Sequence, residues 1–123
     1  MIIVPDCQNG FSDVSILHSE ISGGEFPSNG SAIVLDGHCN VDLNGVIFRN
    51  NSGGVLSLEN KAALHAKHCI FESNYGENGS AIHSKDAVNV TLESCIFQNN
   101  SGGDGGAVAL LVSIWSFRFG SID

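Results

Sequence analysis

The densest cluster of ligand-type side chains in this chain of 123 residues is His65-Ala66-Lys67-His68-Cys69. Two imidazoles three apart and a thiol make a zinc site when they converge on one point. A second possibility lies in Asp36, Glu59 and Lys85, each six residues past a glycine phrase that begins at Gly30, Gly53 or Gly79. Acids stacked beside an amine could form a small acid–base groove for proton transfer on a sugar; such ladders are more often solvated charges that attract weakly. Cys7, Cys39, Cys69 and Cys95 contain no CxxC pair, which leaves a zinc ribbon unsupported. Asn-x-Ser/Thr occurs at Asn29, Asn50, Asn78, Asn89 and Asn99. In a secreted eukaryotic protein these are glycan acceptors on corners, although Asn, Gly and Ser are also what turns use.

Which of these residues share a face is decided by a repeat. An apolar run ends three times in the same phrase: Val46-Ile47-Phe48-Arg49-Asn50-Asn51, Cys69-Ile70-Phe71-Glu72-Ser73-Asn74 and Cys95-Ile96-Phe97-Gln98-Asn99-Asn100. Phe48, Phe71 and Phe97 stand 23 and 26 residues apart. A second phrase keeps the same rhythm at Gly30-Ser31-Ala32-Ile33, Gly53-Gly54-Val55-Leu56, Gly79-Ser80-Ala81-Ile82 and Gly105-Gly106-Ala107-Val108. Two markers in one rhythm indicate stacked repeats. Counting back from each phenylalanine aligns Cys39, Ala62 and Val88, then Val41, Leu64 and Val90, then Leu43, Ala66 and Leu92, then Val46, Cys69 and Cys95.

Within a repeat the apolar residues alternate, skip one position and alternate again, which reads as strand, corner, strand. The residues between them, Asn40 and Asp42, Ala63 and His65, Asn89 and Thr91, then face water. The spacing predicts an all-β solenoid of about four stacked parallel coils, 23–26 residues each, in which equal positions form ladders. A Phe48–Phe71–Phe97 ladder fills the centre. Asn51, Asn74 and Asn100 hydrogen-bond along a corner and satisfy turn backbone that no strand pairs. The corner after Phe48 is three residues shorter than its two counterparts and is expected to be the tightest.

The same columns separate the ligand candidates. Cys69 points inward, His65 outward, and His68 lies at the bend, so no metal site is assigned there. Cys69 and Cys95 share a column and are read as buried free thiols, because parallel neighbours offer poor bridging geometry. Ile47, Ile70 and Ile96 face outward between inward neighbours and form an apolar stripe, either a binding surface or a face covered by other parts of the chain.

Fifteen glycines, two prolines and 42% hydrophobic residues describe one folded domain with many corners. A net charge of −8 disfavours nucleic acid and anionic membranes as partners. Met1-Ile2-Ile3-Val4-Pro5-Asp6 shows neither a basic region nor an apolar stretch of signal-peptide length. The apolar stretch Ala107–Phe117 is shorter than the roughly 20 residues that span a bilayer and is read as a further strand or end segment. Residues 1–29 follow the pattern loosely as a degenerate first coil, with Val14, Ile16 and Ile21 its core candidates in a register shifted by one residue. Residues 30–110 carry the repeats, and 111–123 form an end segment. Open stacks expose strand edges, so further β-helix coils of a longer parent chain are expected partners.

The paired phrases, FxxN with GGA(I/L/V), resemble the repeat of the chlamydial polymorphic membrane proteins, right-handed parallel β-helices of the pectin-lyase-like superfold. FxxN is intact at Phe48–Asn51, Phe71–Asn74 and Phe97–Asn100, and the glycine phrase is intact at Gly105-Gly106-Ala107-Val108. The resemblance implies an extracellular or cell-surface adhesion segment without catalysis, meeting a protein or glycan on its outer face. It implies no cofactor. A polysaccharide-degrading enzyme of the same superfold is the alternative, and a purely structural spacer is another. Gly102-Gly103-Asp104-Gly105-Gly106-Ala107 approaches the calcium-binding nonapeptide of bacterial toxins, but Ala107 stands where the ligating aspartate belongs, so calcium is not expected.

Overall fold

Cys39-Asn40-Val41-Asp42-Leu43-Asn44 alternates at period two and forms a strand in which Cys39, Val41 and Leu43 are buried while Asn40 and Asp42 are exposed. The same alternation recurs in Leu56–Glu59, Ala63–Lys67 and Asn89–Glu93. The computed structural model describes residues 12–25, 32–76, 81–85, 89–102, 108–111, 114–118 and 121–122. A first coil holds β1 (Ser12–Leu17) and β2 (Glu20–Ser22). The second holds β3 (Ile33–Asp36), β4 (Cys39–Asn44) and β5 (Ile47–Arg49). The third holds β6 (Leu56–Glu59), β7 (Ala63–Lys67), β8 (Ile70–Glu72) and β9 (Tyr75–Gly76). The fourth holds β10 (Ile82–Lys85), β11 (Asn89–Glu93), β12 (Ile96–Gln98) and β13 (Ser101–Gly102). The last holds β14 (Val108–Leu111), β15 (Ile114–Arg118) and β16 (Ser121–Ile122).

Three parallel sheets run up the stack in the orders β1-β4-β7-β11-β15, β3-β6-β10-β14 and β2-β5-β8-β12-β16, with β9 and β13 forming a short fourth ladder. The stack is thus one layer taller than the four glycine phrases indicate. Val14, Ile16 and Ile21 sit opposite Val41, Leu43 and Phe48, so the first coil keeps its core columns at the shifted register. The apolar tail supplies β14 and β15, which pair onto β10 and β11.

Phe48, Phe71 and Phe97 are fully buried and stacked, with ring centroids 4.9 and 4.6 Å apart and planes within 9° and 2° of parallel. Those separations match the roughly 4.8 Å between hydrogen-bonded strands, so the rings follow the coil rise without leaving contact. Around them lie Val41, Leu43, Leu64, Ala66, Val90 and Leu92 from one sheet and Ile33, Leu35, Leu56, Leu58 and Ile82 from another.

Two corners explain the skipped position in the pattern. Between the sheet of β4 and that of β5 the chain turns through a left-handed residue in each of the first four coils: His18 (φ 46°), Gly45 (φ 67°), His68 (φ 54°) and Ser94 (φ 52°). After the phenylalanine strand it does so again at Gly23 (φ 69°), Asn50 (φ 55°), Ser73 (φ 55°) and Asn99 (φ 56°). One left-handed residue reverses the sense of alternation and swings the strand into the next sheet. In the corner after Phe48, Gly53 and Gly54 both take φ 106° and both donate to the Tyr75 carbonyl, at 2.8 and 3.0 Å. Isolated bridges through Ser52 stand there in place of the short strands of the next two coils.

Candidate functional site

The outward positions of β1, β4, β7 and β11 form rows, since parallel in-register strands place equal positions side by side. Asp13, Asn40, Ala63 and Asn89 make one row, and Ser15, Asp42, His65 and Thr91 the next. Between them lies an open groove of about 610 Å³, lined by these eight residues with Val41 and Leu64 at its floor. Asn40 Nδ2 donates to Asp13 Oδ1 at 3.0 Å. His65 stands between two carboxylates, with Nδ1 3.7 Å from Asp42 Oδ1 and Nε2 3.0 Å from Glu93 Oε2. Asp42 is its in-register neighbour and Glu93 its diagonal one, on the coils to either side. The groove therefore offers carboxylates, carboxamides, an imidazole and hydroxyls in a regular array that can hydrogen-bond a polar partner.

A second outer face belongs to β2, β5, β8 and β12. Glu20, Ile47, Ile70 and Ile96 share one row; Ser22, Arg49, Glu72 and Gln98 share the next. Ile47 and Ile70 are half-buried and Ile96 is 38% exposed. Beside them Arg49 reaches Glu72 at 3.0 Å and Glu20 at 3.6 Å, while Gln98 Nε2 donates to Glu72 Oε1 at 2.8 Å. The Gln98 amide first, and the Arg49 guanidinium second, hold the Glu72 carboxyl below its ordinary range.

Asn51 and Asn74 are buried and Asn100 half-buried, in one hydrogen-bonded column. Asn74 Oδ1 accepts from the backbone and side-chain amides of Asn51, both at 3.0 Å, and Asn100 Oδ1 does the same for Asn74. Their Nδ2 groups donate to the carbonyls of Ile21, Phe48 and Phe71 at 3.1, 3.1 and 2.9 Å. The Asn51 and Asn74 side chains are fully used in closing the corner.

Asp36, Glu59 and Lys85 stand opposite one another on β3, β6 and β10. Asp36 Oδ1 also takes a hydrogen bond from Asn60 Nδ2 at 2.6 Å. His65, His68 and Cys69 are not brought together: both imidazoles are exposed, and the thiol is buried. Among the described residues no three His, Cys, Asp or Glu side chains gather as a metal site. The calcium-like phrase falls largely in residues 103–107, and Cys7, Asn29 and Asn78 also lie outside the described residues.

Cys69 and Cys95 are free and buried, as their shared column indicates. A hydrogen bond from Cys95 brings the Cys69 thiol down to about 7 against the opposing effect of burial, with backbone amides assisting. That shared hydrogen bond, then burial, pushes the Cys95 thiol up. Cys39, by contrast, is in a disulfide, which its place in the apolar column did not disclose. The groove was also hidden as a site. Its residues were legible as polar and outward, but the His65–Glu93 pair crosses coils diagonally, and only aligned columns shifted by two residues reveal it.

No helix among the described residues is long and apolar enough to cross a membrane. No curated protein and no solved structure matches the chain. A family model described as the right handed beta helix region matches residues 4–113. With that match spanning nearly all of a chain whose sheets are parallel ladders of stacked coils, the protein belongs to the right-handed β-helix family.

Proposed function

We propose that this β-helix is a non-catalytic interaction segment of a surface or secreted protein, whose polar groove along β1, β4, β7 and β11 meets a protein or glycan partner. The observation that carries this reading is the groove itself, where Asp13, Asn40, Asp42, His65, Asn89 and Thr91 line one open face in coil-by-coil register. Rows spaced at the strand separation suit an extended partner that repeats its own polar groups.

Beads displaying the folded chain are expected to retain cells or glycans above a scrambled-sequence control, with retention reduced by Asp42→Lys or His65→Asp. Retention equal to the control would sink the adhesion reading. The enzymatic alternative draws on the Asp36–Glu59–Lys85 ladder. Release of reducing ends from pectins, lost on Asp36→Asn, would establish it in place of the binding role.

A further inference from the structure

Two of the Asn-x-Ser sequences stand at one corner of the stack. Asn50 and Asn99 follow the phenylalanine strands of the second and fourth coils, both exposed and both left-handed, at φ 55° and 56°. Ser52 and Ser101, which complete the two sequences, are exposed as well. The residue between is the ladder asparagine, Asn51 or Asn100, whose amide is consumed by the corner. Each Asn-Asn pair thus divides its labour, one carboxamide holding the fold and the other projecting to solvent.

The third coil shows that the corner itself requires neither member of the acceptor sequence. Ser73 takes the same left-handed conformation, φ 55°, without an asparagine. Tyr75 takes the ladder place of Ser52 and Ser101 without a hydroxymethyl group. Both members are absent together in the middle coil and present together on either side of it. Adjacent coils lie about 4.8 Å apart, less than the width of a substituted sugar ring, whereas alternate coils give about 10 Å. The pattern therefore keeps two branched substituents clear of each other.

We propose that Asn50 and Asn99 are acceptors of N-linked glycans, arrayed on alternate coils at the corner that follows the phenylalanine strands. In each transfer the asparagine Nδ2 forms a bond to the anomeric carbon of a lipid-pyrophosphate-linked oligosaccharide. The bond from that carbon to the pyrophosphate oxygen breaks, lipid pyrophosphate leaves, and the amide proton passes to a base of the transferase. The inference rests on the surface or secreted reading above. Asn89, whose sequence lies within the groove, is not part of it.

The test is to secrete the chain behind a signal peptide from a eukaryotic cell line. The product is then treated with a glycan-releasing amidase in heavy-oxygen water, which converts glycosylated asparagine to labelled aspartate. Labelled aspartate is expected at positions 50 and 99. Ser52→Ala is expected to abolish the label at 50 and Ser101→Ala that at 99, each removing one step of glycan-dependent gel mobility and leaving the unfolding midpoint unchanged. A secreted, cooperatively folding chain with unmodified Asn50 and Asn99 would overturn the proposal. Finding the parent protein in the cytosol would sink the surface reading instead, and leaves the acceptor measurement standing.

Discussion

At the scale of single residues, the asparagine column shows why a polar side chain can be a core residue. Asn74 accepts two hydrogen bonds from Asn51 and donates one to the Phe48 carbonyl, all out of water. Removing it leaves buried backbone and side-chain groups without partners. Asn74→Ala is expected to cost about 3 kcal/mol in urea unfolding, more than Asn100→Ala, because each abandoned buried group costs about 1–3 kcal/mol. This column was legible in the sequence, since a ladder that must repeat its bonds repeats its residue. The buried thiols make a separate prediction. Cys69 and Cys95 are both enclosed. A thiol reagent followed by peptide mapping is expected to leave both unlabelled in the native chain and to label both in urea.

At the scale of the element, the phenylalanine stack and the corners carry different information. Phe71 touches a ring on each side, so Phe71→Ala is expected to lower stability by about 4 kcal/mol, more than Phe48→Ala or Phe97→Ala, in denaturant titration. Corners are less forgiving of backbone change than of residue type. Gly102 has φ 145°, and a Cβ there would run into the Gly76 carbonyl of the paired strand. At Gly45 the added carbon would meet only the exposed His18 ring, which can swing away. Gly102→Ala is therefore expected to cost about 3 kcal/mol and Gly45→Ala distinctly less, by thermal unfolding. The left-handed bends could not be read from residue type, because His18, Gly45, His68 and Ser94 share one conformation and little chemistry. Only the skipped step in the apolar pattern betrayed them.

For the molecule as a whole, the outer faces set the response to solution conditions. Glu72 has a lower pKa folded than unfolded, so its contribution is complete above the ordinary carboxylate value and is lost as pH falls through the folded one. The acid limb of the stability profile is expected to be shallower in Glu72→Gln than in the native chain, measured by unfolding midpoints below pH 4.5. Reduction of the disulfide that holds Cys39 is expected to lower stability by about 2–4 kcal/mol, read from urea midpoints with and without reductant.

The sequence by itself determined the stack, its coil length, its central rings and its corner amides, because every buried position in a solenoid faces a copy of itself and is constrained to match it. It also indicated the core of the first coil, where Ile21 stands opposite Phe48. What only the tertiary structure decided lies on the outside and across coils: the groove around His65, the charged network that links Glu20, Arg49, Glu72 and Gln98, and the disulfide at Cys39. Outward residues need not resemble the ones above and below them, so no repeat records their partners, and their meetings are fixed by the rise and register of the coils.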